Sequence, residues 1–100
     1  NYNKSSHIIC TCIKLNRKIL PEWEEIAATA MAVQNLWISC VDSKIGGYWS
    51  TPKYCNKMAD FLHLDENEMC LGFFYLGLID IKKPRNIKRK DINDKIEWHR

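Results

Sequence analysis

The stretch PEWEEIAATAMAVQNLWISCVDSK, residues 21–44, decides the fold. Pro21 stands where proline opens a helix, and Glu22, Glu24 and Glu25 fall in the first turn, where carboxylates meet the positive end of the helix dipole. No Gly or Pro interrupts residues 22–44. The expected element is one helix of about six turns, close to ~33 Å long at a rise of about 1.5 Å per residue. After its first turn it is apolar nearly all round, through Ile26, Ala27, Ala28, Ala30, Met31, Ala32, Val33, Leu36, Trp37, Ile38, Cys40 and Val41. A helix on the surface of a small monomer keeps a polar face. One that lacks it is expected at the centre of a larger core or in a subunit interface, and its alanines let another backbone approach closely.

Outward from the helix, HIICTCIKL at 7–15 is rich in Ile, Cys and Thr and reads as a strand largely covered on both faces. A polar turn over 16–20 joins the two. Downstream, in IGGYWSTP at 45–52, Gly46 and Gly47 are expected to end the helix. Thr51 and Pro52 read as the cap and first position of a short second helix over 53–62, with Tyr54, Met58, Phe61 and Leu62 on one face. A glycine turn running into a fresh helix N-terminus can aim backbone N–H groups at a ligand, although most such turns are only turns. Asp65, Glu66, Asn67 and Glu68 form an acidic, solvated loop. MCLGFFYLGLI at 69–79 is apolar at odd and even positions alike, as a strand buried on both sides should be, and Gly72 and Gly77 suggest a bulge or a close backbone approach. The chain then turns basic and irregular. There is no internal repeat, low-complexity segment or second domain, so residues 1–100 read as one unit with 82–100 as a basic C-terminal arm.

With 46% hydrophobic and 27% charged residues, the composition excludes collagenous, disordered and integral-membrane classes. No membrane partner and a cytoplasmic location are expected. One hundred residues suit a single domain, yet they can hardly surround so apolar a helix. The chain also begins Asn-Tyr-Asn rather than with Met, so it reads as part of a longer protein. The net charge of +3 is local: KKPRNIKRK at 82–90 holds six of the fifteen bases and no acid, leaving nine bases against twelve acids elsewhere. Such a cluster suits one bound phosphate better than a broad nucleic-acid face. The five cysteines, at 10, 12, 40, 55 and 70, are an odd number inside apolar segments rather than a secreted disulfide framework. Cys10 and Cys12 alternate along their strand and point to one face. C-x-C with scattered singles lacks the paired spacing of a zinc site, so buried free thiols and no metal are expected.

The ordered series of a strand, P-x-W-E-x-x-x-A, an alanine-rich helix containing AVQN, the segment GGYW followed by Ser-Thr, GFFYLG, and a basic arm ending near E-W resembles the C-terminal half of the nitroreductase family of flavoproteins. It looks most like the short-chain NAD(P)H nitroreductases, over about residues 5–98. The resemblance implies an α+β fold, normally dimeric, in which a long buried helix packs on a mixed sheet. It implies FMN at the interface of a homodimer, with NAD(P)H as reductant and nitro compounds, quinones or similar small molecules as acceptors. The N-terminal half of such a protein, with its Arg-Arg-Ser-type grip on the flavin phosphate, would be absent from these residues.

Carried over by position, the resemblance places flavin contacts at Gly47, Trp49, Ser50 and Thr51. Small side chains and backbone N–H groups suit the carbonyls and ring nitrogens of an isoalloxazine edge. The competing reading makes Trp49 core and Ser50-Thr51 a helix cap. Relatives often have Arg where Ser50 stands, so a charge near the flavin is missing or supplied elsewhere. In the arm, Ile87, Lys88 and Arg89 fall nearest the family's phosphate-binding position. Arg89 is the first choice because a guanidinium can pair two phosphate oxygens, Lys88 is the second, and solvated surface charge is the alternative for both. No catalytic acid or base is expected, since hydride transfer is the cofactor's chemistry. His7 and His63 read as structural. The leading function is therefore an FMN-dependent oxidoreductase. The alternatives are a non-catalytic flavin-binding carrier or regulator of the same fold and, from residues 82–90, a nucleic-acid-binding protein; no nucleic-acid partner is expected.

Overall fold

The computed structural model describes residues 5–16, 18–79 and 87–100. The basic stretch from 82 to 86 lies outside them. The elements run β1 (His7–Lys14), α1 (Glu22–Ile38), β2 (Ile45–Ser50), a 3₁₀ turn (Lys53–Lys57) continuous with α2 (Met58–Phe61), β3 (Glu68–Leu78), and a last 3₁₀ turn (Ile92–Lys95). The architecture is α+β. β3, the strand that is apolar on both faces, lies at the centre of a three-stranded sheet in the order β1-β3-β2. β1 pairs with it antiparallel from His7 opposite Leu76 to Lys14 opposite Glu68. β2 pairs with it antiparallel from Ile45 opposite Leu78 to Ser50 opposite Phe73. β1 and β2 therefore run parallel to one another on either side of β3, joined through α1 as a split β-α-β unit. The mixed sheet expected from the resemblance is, among the described residues, wholly antiparallel in its pairings, because the only strand joining the two parallel ones is β3.

Cross-strand neighbours share a face. Ile9 faces Phe74, which faces Trp49. Trp37 of α1 meets the Phe74 ring edge-on at 5.5 Å, so α1 packs on this side. Phe74 is 0% exposed and is the centre of the core, with Ile13, Leu15 and Val33 also buried. The opposite face carries Cys10 against Phe73 and Tyr48 against Tyr75. Tyr48 and Tyr75 stack at 5.2 Å, and Tyr54 of the 3₁₀ turn lies over Phe73 at 6.0 Å. Each face of β3 thus has its own aromatic layer.

Four expectations are corrected. The helix stops at Ile38 rather than near residue 44. There the hydroxyls of Ser39 and Ser43 donate to the carbonyls of Leu36 at 2.6 Å and Cys40 at 2.7 Å, competing with the helical ladder, and Asp42 turns left-handed at φ 62°. Nor is α1 buried: Val33 is its one buried residue, while Trp23 is 68% and Met31 65% exposed. β1 is not covered on both faces, because it is an edge strand with Ile8 and Ile9 exposed. Finally, residues 53–62 are a 3₁₀ turn followed by one α turn, preceded by Pro52 as the capping residue with no side-chain cap from Thr51. Within this turn Cys55 is buried, whereas Tyr54 and Phe61 are exposed.

The chain has a radius of gyration of 17.2 Å, against about 13 Å for a closed domain of this length. Its surface is 9097 Å², about half as much again as the roughly 5,900 Å² of a compact monomer of its mass. The uncovered helix and residues 87–100, exposed throughout, both contribute to the excess.

Candidate functional site

GGYWS makes up all of β2 after Ile45, where a ligand-facing turn was expected. The reason is steric. A side chain at Gly47 would place its first carbon 2.5 Å from Cε1 of the fully buried Phe74 ring, so Gly47 is small because an aromatic ring lies across it. Tyr48 and Trp49 then supply the cross-strand partners that hold a strand. The side chains of residues 47–50 alternate: Gly47 and Trp49 face the Phe74 side, while Ser50 lies with Tyr48 on the other. Thr51 follows the strand, and its hydroxyl reaches the Leu71 carbonyl at 3.5 Å.

Beyond Ser50 the sheet is disturbed by a bulge. Between the pairs Cys10-Phe73 and Cys12-Cys70, Thr11 on β1 faces two residues, Leu71 and Gly72, on β3. Gly72 adopts φ +116°, and a side chain there would lie 2.5 Å from the Ser50 carbonyl and 2.9 Å from the Trp49 indole nitrogen. That indole N–H is buried and has no hydrogen-bond partner. An unspent buried donor beside a bulge and the end of an edge strand is where an acceptor-rich group fits. β2 also turns every second N–H and C=O away from β3.

Ile87, Lys88 and Arg89 stand exposed in backbone without regular structure. His7 Nδ1 contacts the Ser6 hydroxyl at 3.0 Å. His63 lies exposed at φ 54°, past the end of α2. There, Leu64 N–H donates to Ala59 O at 2.9 Å and His63 N–H to Asp60 O at 3.3 Å, the paired bonds of a Schellman cap.

All five cysteines are free thiols, but only Cys55 is buried; Cys10 and Cys12 lie exposed on the edge strand. Four of them gather around the bulge. Cys12 faces Cys70 across the strands, with Cys10 two residues away, and Cys55 Sγ lies 3.4 Å from Cys70 Sγ. Loss of solvent, then the neighbouring Cys70, pushes the thiols of Cys12 and Cys55 up to about 11. Among the described residues no group of three or more His, Cys, Asp or Glu is placed to hold a metal ion. Sequence reading missed this cluster, because only the register of β1 on β3 and the fold-back of the 3₁₀ turn bring residues 10, 12, 55 and 70 together.

No protein-family model matches the sequence, and no curated protein matches it. The fold is nevertheless that of a known class: an α+β protein whose two outer strands flank a central antiparallel one. Among solved structures it is similar to the nitroreductase-like family protein from Bacillus cereus, with a TM-score of 0.72 over 91% of this chain at 22% identity. The chain spans about half of that protein, 49% of its length. The resemblance read from the sequence is thereby borne out as a likeness of fold. Among the described residues no helix is long and apolar enough to cross a membrane.

Proposed function

We propose that these residues form the C-terminal half of an FMN-dependent oxidoreductase. It would pass a hydride from NAD(P)H through the flavin to nitro compounds, quinones or similar acceptors, and act as a homodimer. The observation that carries the reading is the likeness to the nitroreductase-like fold over 91% of the chain. The bulge beside β2 supports it, because the Trp49 N–H lies there without a partner. Bound FMN would supply the hydride chemistry. The chain's own contribution is placement. The outward N–H groups of Gly47 to Ser50 and the Thr51 hydroxyl would meet the acceptors of the ring edge, and Arg89, with Lys88 and the backbone of Ile87, would draw the phosphate. Charged pairing with a phosphate contributes about 1.5–3 kcal/mol per good hydrogen bond.

The test is purification of the whole protein that contains residues 1–100, followed by assay with NADH or NADPH and a quinone or nitroaromatic. A flavin that copurifies, with acceptor-dependent oxidation of reduced nicotinamide, is expected. Arg89→Ala should weaken FMN binding about tenfold, the equivalent of about 1.4 kcal/mol, while Arg89→Lys keeps part of it. A flavin without turnover would move the protein to a non-catalytic carrier, and a protein that binds no flavin would end the reading.

A further inference from the structure

Cys55 reaches β3 from the 3₁₀ turn. Its sulfur is within 3.4 Å of both the carbonyl oxygen and the sulfur of Cys70. Cys70 in turn directs its sulfur toward the Gly72 carbonyl at 3.6 Å. Cys55 is buried and Cys70 is half-buried, so the two differ in what can reach them. The pair stands at the bulge, where β3 is already bent out of regular pairing.

We propose that Cys55 and Cys70 are a peroxide-sensitive thiol pair that closes to a disulfide and fastens the 3₁₀ turn and α2 to the central strand. The Cys70 sulfur, the more accessible, attacks one oxygen of hydrogen peroxide as the thiolate; the O–O bond breaks and the departing hydroxide takes up the proton the thiol lost and leaves as water, giving a sulfenic acid. The Cys55 sulfur then attacks the Cys70 sulfur. An S–S bond forms, the S–O bond breaks, and the hydroxide leaves as a second water with the Cys55 proton. The two thiols are oxidised by two electrons and one peroxide is reduced. Bonding draws the sulfurs together from 3.4 Å to a disulfide length of about 2 Å, a movement within reach of one side-chain rotation at a short 3₁₀ turn. Cys40, on the turn after α1, has no such neighbour among the sulfur contacts, since its thiol donates to Leu36 O at 3.6 Å. The inference is independent of the flavin reading.

The sequence supplies its own control, because Cys40 and Cys70 each stand 15 positions from Cys55. An unfolded chain would therefore form the two bridges about equally, by loop closure alone. The experiment treats the whole protein that contains residues 1–100 with hydrogen peroxide in native buffer and in urea. Free thiols are then blocked, and the chain is digested without reduction so that linked peptides can be measured by mass spectrometry. In native buffer the Cys55–Cys70 peptide should exceed the Cys40–Cys55 peptide by about tenfold or more, and in urea the ratio should fall to near one. Cys12→Ser and Cys40→Ser, at positions outside the core, should leave the native yield within about twofold. Equal amounts of the two bridges in native buffer would overturn the proposal. So would a predominant Cys12–Cys70 bridge, or Cys70 oxidised to sulfinic acid with Cys55 still free.

Discussion

A Gly47→Ala substitution separates two reasons for a glycine. The added carbon meets Phe74, which is fully buried and cannot swing aside. Overpacking of this kind costs about 1–3 kcal/mol, and the loss should appear in thermal or urea unfolding with no flavin present. An unchanged midpoint would mean that the glycine serves a ligand instead. A second prediction at this scale concerns alkali. Burial and the nearby Cys70 hold the proton on Cys55 to about 11, above the 9.0 of a free thiol. A raised pKa means the folded chain keeps its proton longer than the unfolded one. This contribution to stability is therefore complete below about pH 9 and lost as the pH climbs through about 11. The unfolding midpoint of the reduced chain should fall across that window, and Cys55→Val should flatten the fall. Glycine itself was legible in the sequence, but its purpose was not, because a Gly-Gly pair before a proline looks the same whether it turns the chain or makes room for a ring on the neighbouring strand.

Among the elements, α2 ends on His63 at φ 54°, a conformation in which a side-chain carbon crowds the following carbonyl. The cap bonds from His63 and Leu64 hold it there. His63→Gly should keep the cap and relieve the crowding, raising stability by about 1 kcal/mol, measured as a higher unfolding midpoint. A decrease would mean that the imidazole makes a contact the cap does not explain. The elements most legible beforehand were those with an unambiguous apolar pattern: β3, apolar on both faces, and the start of α1 at Pro21. β2 was hidden because two glycines in six residues weaken any strand signal. Its stability comes instead from pairing with β3, a non-local cause. The end of α1 was hidden for a related reason. No Gly or Pro marks it, and the only local signs were Ser39, Ser43 and Asp42, whose side chains compete with helical bonding.

For the whole molecule, the extended shape and the exposed apolar side chains of α1, Trp23 and Met31 among them, set the solution behaviour. The chain by itself should associate, bind a hydrophobic dye and resist isolation as a monomer. Sedimentation velocity and dye fluorescence measure this directly, and a monodisperse monomer without dye binding would refute it. The apolar character of the helix was legible in full, and it correctly implied that so short a chain cannot cover it. The candidate flavin contacts were named from resemblance, whereas the alternation of side chains along β2 and the gathering of four sulfurs around one bulge depend on pairings between residues far apart in sequence.

The strand order β1-β3-β2 also carries a consequence in time. Both outer strands depend for every described sheet pairing on β3, which is the last of the three to be made. At about 5–20 residues added per second, a ribosome therefore completes β1 about 3–11 s and β2 about 1–4 s before the start of β3, the strand with which both pair among the described residues. During that interval Ile8, Ile9, Tyr48 and Trp49 lack their β3 partners, and these pairings close only when Phe73, Phe74 and Tyr75 emerge.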